Sequence, residues 1–149
     1  MKKVIFLLFA MLMLTSCGNE PNDIAYVVAV GFDKGEDNNY EITLQFAKPT
    51  QISGGASEEG GKSGTDIVEN ITIEAPDIYS AINVANNIIS KSFSLSHTKI
   101  AVFSKEVAKD GLKPIVSMMI RSEELRPDVF VAVAEDGAQE YLSSFQPVI

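Results

Sequence analysis

Asp23-Ile24-Ala25-Tyr26-Val27-Val28-Ala29-Val30-Gly31-Phe32 is the stretch on which the fold turns. It is a nearly continuous apolar run, rich in valine, without the alternation of a half-solvated strand. A run of this kind is a strand covered on both faces, so it needs paired neighbours at its edges and packed layers above and below.

Working outward, Asp33 to Asn39 is charged and glycine-containing, which suits a hairpin link. Tyr40 to Ala47 then sets Tyr40, Ile42, Leu44 and Phe46 against Glu41, Thr43 and Gln45. That two-residue period predicts a half-buried strand, closed by Pro49. Thr50 to Asp66 holds five glycines and several serines with no apolar period, and is expected to be mobile. Ile67 to Glu74 reads as a third strand.

Helical spacing begins beyond it. Ile78, Ala81, Ile82, Ala85, Ile88 and Ile89 share one face, with Pro76 suited to the first turn and Asp77 to the positive helix end. Lys99 to Phe103 is a short strand. Ser104 is a candidate N-cap for Lys105 to Lys109, and Gly111 interrupts that helix. Pro114 restarts a helix to Arg121. Val129 to Ala134 reads as another buried strand, and Asp136 with Gln139 resembles a capping box for a last helix through Leu142. The fold class that follows is α+β (mixed α/β): one mixed sheet of about five strands with about three packed helices, in one domain.

The N-terminus has a different character. Met1-Lys2-Lys3 is basic, and Val4 to Leu14 is an uncharged apolar run. It is too short for a spanning helix, which needs about 20 apolar residues, but has the length and flanks of a secretory leader. Leu14-Thr15-Ser16-Cys17 then matches the lipobox of bacterial lipoproteins, in which the cysteine receives a diacylglyceryl group and becomes the new N-terminus. Residues 1–16 are thus read as a lipoprotein signal peptide, 17–22 as the lipidated Cys17 and a polar tether, and 23–149 as the folded domain. Two acyl chains anchor stably where one binds only marginally.

Charge excludes several functions. The 149 residues carry 12 lysines and arginines against 20 carboxylates, a net charge of −8. Cleavage before Cys17 removes 16 residues and two lysines, leaving 133 residues and a charge of −10. So acidic a surface repels phosphate backbones and anionic head groups, so no nucleic-acid partner is expected and charge alone would not hold the domain on a membrane. One cysteine and one histidine cannot build a usual zinc site or a disulfide framework, and no metal or cofactor is expected.

Other motifs carry bland readings. Ala56-Ser57-Glu58-Glu59-Gly60-Gly61-Lys62-Ser63 fits a loose phosphate-binding loop. A strand-like run follows where a helix is needed, and two glutamates would face the phosphates, so the match is read as chance. His97, flanked by Ser94, Ser96 and Thr98, is the sole histidine that any hydrolase mechanism would require. With no nucleophile-elbow pattern, it is read as a turn histidine bonded to backbone, and no catalytic residue is expected. The run Arg121, Glu123, Glu124, Arg126, Asp128 fits a solvated turn first and a docking surface second, with an acid–base cluster as a third reading.

Three stretches in order resemble the Ger(x)C spore-germination lipoproteins, the C subunits of nutrient germinant receptors. The first is Asp23-Ile24-Ala25 running into Val28-Ala29-Val30-Gly31-Phe32-Asp33; the second is Tyr40 to Phe46 with Pro49. The third is Ser96-His97-Thr98-Lys99-Ile100, followed by Glu106-Val107-Ala108, Gly111-Leu112, Arg121 to Arg126 and Val131 to Ala134. The resemblance covers essentially the whole chain, leader included. It implies a non-enzymatic subunit, held by lipid at the outer surface of the spore inner membrane and working with integral-membrane subunits of A and B types. Family members are longer, so residues 23–149 are expected to be the N-terminal domain of a longer protein. Candidate partner contacts are Arg121, Glu124, Arg126, His97 and Lys99. The alternatives are a solute-binding surface lipoprotein and, dependent on His97, a surface hydrolase.

Overall fold

The computed structural model describes residues 24–47, 68–89 and 91–144. Their order is β1 (Ile24–Lys34), β2 (Tyr40–Ala47), β3 (Val68–Ala75), α1 (Ile78–Ile88), β4 (Ser92–Ser94), β5 (Ile100–Ser104), α2 (Lys105–Asp110), α3 (Lys113–Arg121), β6 (Phe130–Ala134) and α4 (Ala138–Ser144). Six strands form one mixed sheet in the order β3-β2-β1-β5-β6, with β4 pairing the start of β1. The valine-rich run lies at the centre, as its unbroken apolarity requires. β1 pairs antiparallel with β2 and parallel with both β4 and β5, and β5 pairs parallel with β6.

The two faces of the sheet are unequal. On the larger side Val27, Val30 and Phe32 lie beside Ile42, Leu44 and Phe46, under Ile78, Ala81 and Ala85 of α1. Phe32 stacks on Phe103 with ring centroids 5.1 Å apart, and Phe46 meets Phe93 edge-on at 5.0 Å. Each such buried phenylalanine contributes about 1.5–3 kcal/mol relative to solvent exposure. A bulge between Val27 and Ala29 shifts the register by one residue. That shift lets Val27 and Val30 face the same core although three positions separate them. On the smaller side, α4 lays Ala138 and Leu142 on Ala29, Val102 and Ala134.

Local chemistry fixes the element ends. Asp37 and Asn38 take the left-handed backbone of the β1–β2 turn, with φ of 47° and 64°. Asp and Asn tolerate that region best among residues with a β-carbon. The Asp77 side chain accepts from the amides of Tyr79 and Ser80 and is the N-cap of α1, so Pro76 lies outside the helix rather than in its first turn. Ser104 caps α2 by accepting from the Val107 amide, as its sequence position predicts.

Three further expectations change. β4 is too short to give a period and was not anticipated. β6, read as buried, is an edge strand in which Phe130 is 74% exposed and Val131 and Val133 are each 55% exposed. An uninterrupted apolar run of five residues cannot by itself distinguish a covered strand from an open edge. The last helix is capped not by Asp136 but from β1, where Asp33 accepts from the amides of Ala138 and Gln139.

Candidate functional site

Cys17, its tether, and the glycine-rich segment with the loose phosphate-loop match lie outside the described residues. The remaining candidates, His97, Lys99, Arg121, Glu124 and Arg126, fall in two turns far apart in sequence. The structure joins them. A Glu124 carboxylate oxygen accepts from the Leu95 amide at 3.3 Å, tying the Ser94–Lys99 turn to the turn after α3. Both turns sit at the end of the sheet where β1, β5 and β6 begin.

The first turn exists because β4 and β5 both pair with β1. Ser92 lies opposite Ile24 and Ile100 opposite Ala29, so eight residues of one segment span five of the other. The surplus loops out and is pinned from below. The buried Thr98 hydroxyl donates to the Val27 carbonyl at 3.3 Å, the Lys99 amide donates to the Val28 carbonyl at 2.9 Å, and Leu95 is fully buried. The Lys99 carbonyl in turn accepts from the Phe130 amide at 2.8 Å, which fixes the start of β6. The loop is therefore a rigid feature, held by backbone bonds and an apolar plug.

His97 rests on this loop, exposed, with its ring edge-on to Tyr26 at 4.5 Å. Its Nδ1 lies 3.0 Å from the Ser96 hydroxyl, so its partner is a neighbouring side chain rather than the backbone. In the second turn, Ser122 Oγ accepts from the amides of Glu124 and Leu125, and Leu125 is buried in the main core. Arg121 donates from Nε to the Ser117 carbonyl at 3.0 Å, which holds that guanidinium against its own helix. Arg126 lies on the rim of an apolar groove of about 600 Å³ between α3 and β6, floored by Met119, Leu125, Val129 and Val131. Sequence reading missed this groove, because its two walls are separated by a turn whose path the sequence does not specify.

The opposite end of the sheet holds a cleft of about 380 Å³, lined by Asp33, Glu41, Glu106, Glu135, Asp136 and Glu140. Its lysines are engaged: Lys105 pairs with Glu135, and Lys34 pairs with Asp110 at 2.8 Å. The hydrogen bond that Lys34 donates to Asp110, reinforced by the carboxylate's charge, raises the Lys34 ammonium above the ordinary lysine range. The cleft repels anionic ligands.

Charge is thus sorted along the strands. The described residues carry 8 cations and 15 carboxylates, an excess of seven negative charges. Lys91, Lys99, Arg121 and Arg126 lie at the end where β1 begins and are matched there by Glu69, Glu123, Glu124 and Asp128. Among the described residues that end is balanced, and their excess of seven carboxylates lies at the other. Among the described residues, no helix is long and apolar enough to cross a membrane.

Residues 18–148 match a family model described as "Spore germination protein N-terminal domain". The chain is 27% identical over 150 residues to "Putative spore germination protein YfkR" of Bacillus subtilis (strain 168), covering 97% of this chain and 39% of the relative. Against "Spore germination protein KC" of the same organism, identity is 27% over 148 residues, 97% of this chain and 36% of the relative. With "Spore germination protein A3", again from that organism, it is 24% over 135 residues, 88% of this chain and 35% of the relative. The chain therefore spans less than two fifths of these relatives' length. No solved structure matches it significantly.

Proposed function

The chain belongs to the spore germination protein N-terminal domain family, and we propose that it is a lipid-anchored, non-enzymatic subunit of a spore nutrient germinant receptor. The observation that carries this reading is the extent of the family match, which begins at residue 18, directly after the lipobox cysteine. An exported domain preceded at once by a lipidation site works by placement. Two acyl chains on Cys17 confine it to a thin layer at the outer face of the spore inner membrane. Confinement raises its effective concentration beside integral-membrane subunits of the A and B types without any new contact.

The surface joined by Leu95 and Glu124 gives such a subunit a rigid face for coupling. It presents His97, Lys99, Arg121 and Arg126 on backbone held by buried anchors, so a contact there costs little ordering entropy. His97 supports this role better than catalysis, because its ring is packed on Tyr26 and its hydroxyl neighbour is the preceding residue of the same turn.

The test is nutrient-triggered germination of spores carrying Cys17→Ala at equal protein level. Dipicolinate release should fall severalfold, and mass spectrometry of the parent protein should find a thioether-linked diacylglyceryl group. Unimpaired germination, or a free thiol at the processed N-terminus, overturns the proposal.

A further inference from the structure

Two independent observations single out the end of the sheet at which β1, β5 and β6 begin. One is charge: among the described residues that end is balanced, with four cations and four carboxylates, whereas the other carries an excess of seven carboxylates. The second is exposed apolar area. Ile120 at the end of α3 is 78% exposed and Phe130 at the start of β6 is 74% exposed, with Tyr26 of β1 half-exposed beside His97. Large apolar side chains left in water at one end of an acidic domain mark a contact surface.

We propose that this end seats on the bilayer, with Ile120 and Phe130 entering the head-group boundary and the acidic cleft turned outward. The inference rests on the lipid anchor proposed above. β1 starts at Ile24, seven residues after Cys17, so the proposed anchor joins the domain through the strand that begins at this end. Anionic lipid repels the end with the acidic cleft more strongly, so the opposite end is the one that approaches. Because the described residues of that end carry no excess of cations, the contact is apolar in origin and does not need anionic lipid.

The mature lipoprotein, lipidated at Cys17, is reconstituted on phosphatidylcholine vesicles with and without phosphatidylglycerol. Single variants Ile120→Cys, Phe130→Cys, Glu106→Cys and Glu140→Cys carry a polarity-sensitive fluorophore, and a nitroxide on the lipid head group quenches it. All four positions are exposed, so folding is preserved. Labels at 120 and 130 should be quenched severalfold more than those at 106 and 140, in both lipid mixtures. Equal quenching at both ends, with the protein still floating with the vesicles, overturns the seating and leaves the anchor intact. Failure to float overturns both. Labels at 120 and 130 that stay unquenched on vesicles but become shielded by spore membrane proteins would give this surface to a protein partner and overturn the bilayer contact.

Discussion

Asp33 and Ala138 are 105 residues apart, yet the Asp33 carboxylate accepts the Ala138 amide at 2.8 Å and, through its second oxygen, the Gln139 amide at 2.8 Å. A residue in the central strand thereby caps the last helix. Two residues earlier, Gly31 clears the ground for that helix. A β-carbon at Gly31 would stand 3.0 Å from Leu142 Cδ1 and 3.1 Å from Ala138 Cβ. The Gly31-Phe32-Asp33 ending of β1 is therefore a docking device, in which one residue admits α4, the next fills the opposite core and the third fixes the helix start.

Asp33→Ala should destabilise the domain by about 1–2 kcal/mol, the usual cost of a lost N-cap. Urea denaturation measures the loss, and hydrogen exchange should quicken first at the amides of Ala138 and Gln139. Exchange rising equally across β1 would contradict a role confined to α4.

Gly31→Val should cost about 1–3 kcal/mol, since the added methyls meet Leu142 and Ala138 in a packed interface. Leu142→Ala in the same chain should recover part of that cost, giving a coupling of at least about 0.5 kcal/mol between contacting positions. Strict additivity would show that the strain lies elsewhere.

Leu95→Ala should cost about 2–5 kcal/mol, because this fully buried side chain plugs the Ser94–Lys99 loop into the core. Glu124→Ala should change global stability by about 1 kcal/mol or less, the usual net contribution of one hydrogen bond. It should nevertheless speed exchange at the Leu95 amide, which loses its acceptor. Thermal melts read the first effect and amide exchange the second.

Lys34 offers a pH test. Its ammonium titrates above the ordinary value of 10.5 because of the hydrogen bond and then the charge of Asp110. A raised folded value means that the pair's contribution is complete below 10.5 and disappears as pH rises through the folded value. Asp110→Asn should return the Lys34 titration, followed by NMR of its side chain, toward the ordinary value. Both groups are solvent-exposed, so the melting temperature should barely move.

Several features were legible in the residues alone. The unbroken run from Ile24 to Phe32 placed the central strand, and the alternation from Tyr40 placed its partner, because side-chain period reports directly on which faces are covered. Ser104 marked a helix start because an N-cap acts on amides two or three residues away, within reach of local sequence, whereas Asp77 was legible only as a charge suited to the positive helix end.

Other features required the chain to be brought together. Asp136 with Gln139 satisfied a local capping rule, but the amides there are taken by a strand more than a hundred residues earlier. Val129 to Ala134 looked buried, but whether a strand is central or an edge depends on how many neighbours the topology supplies. The union of the Ser94–Lys99 and Arg121–Asp128 turns, and the sorting of charge to one end, arise from strand direction. Short-range chemistry sets what each segment becomes; only the pairing of distant segments decides which surfaces meet and which are left facing the solvent.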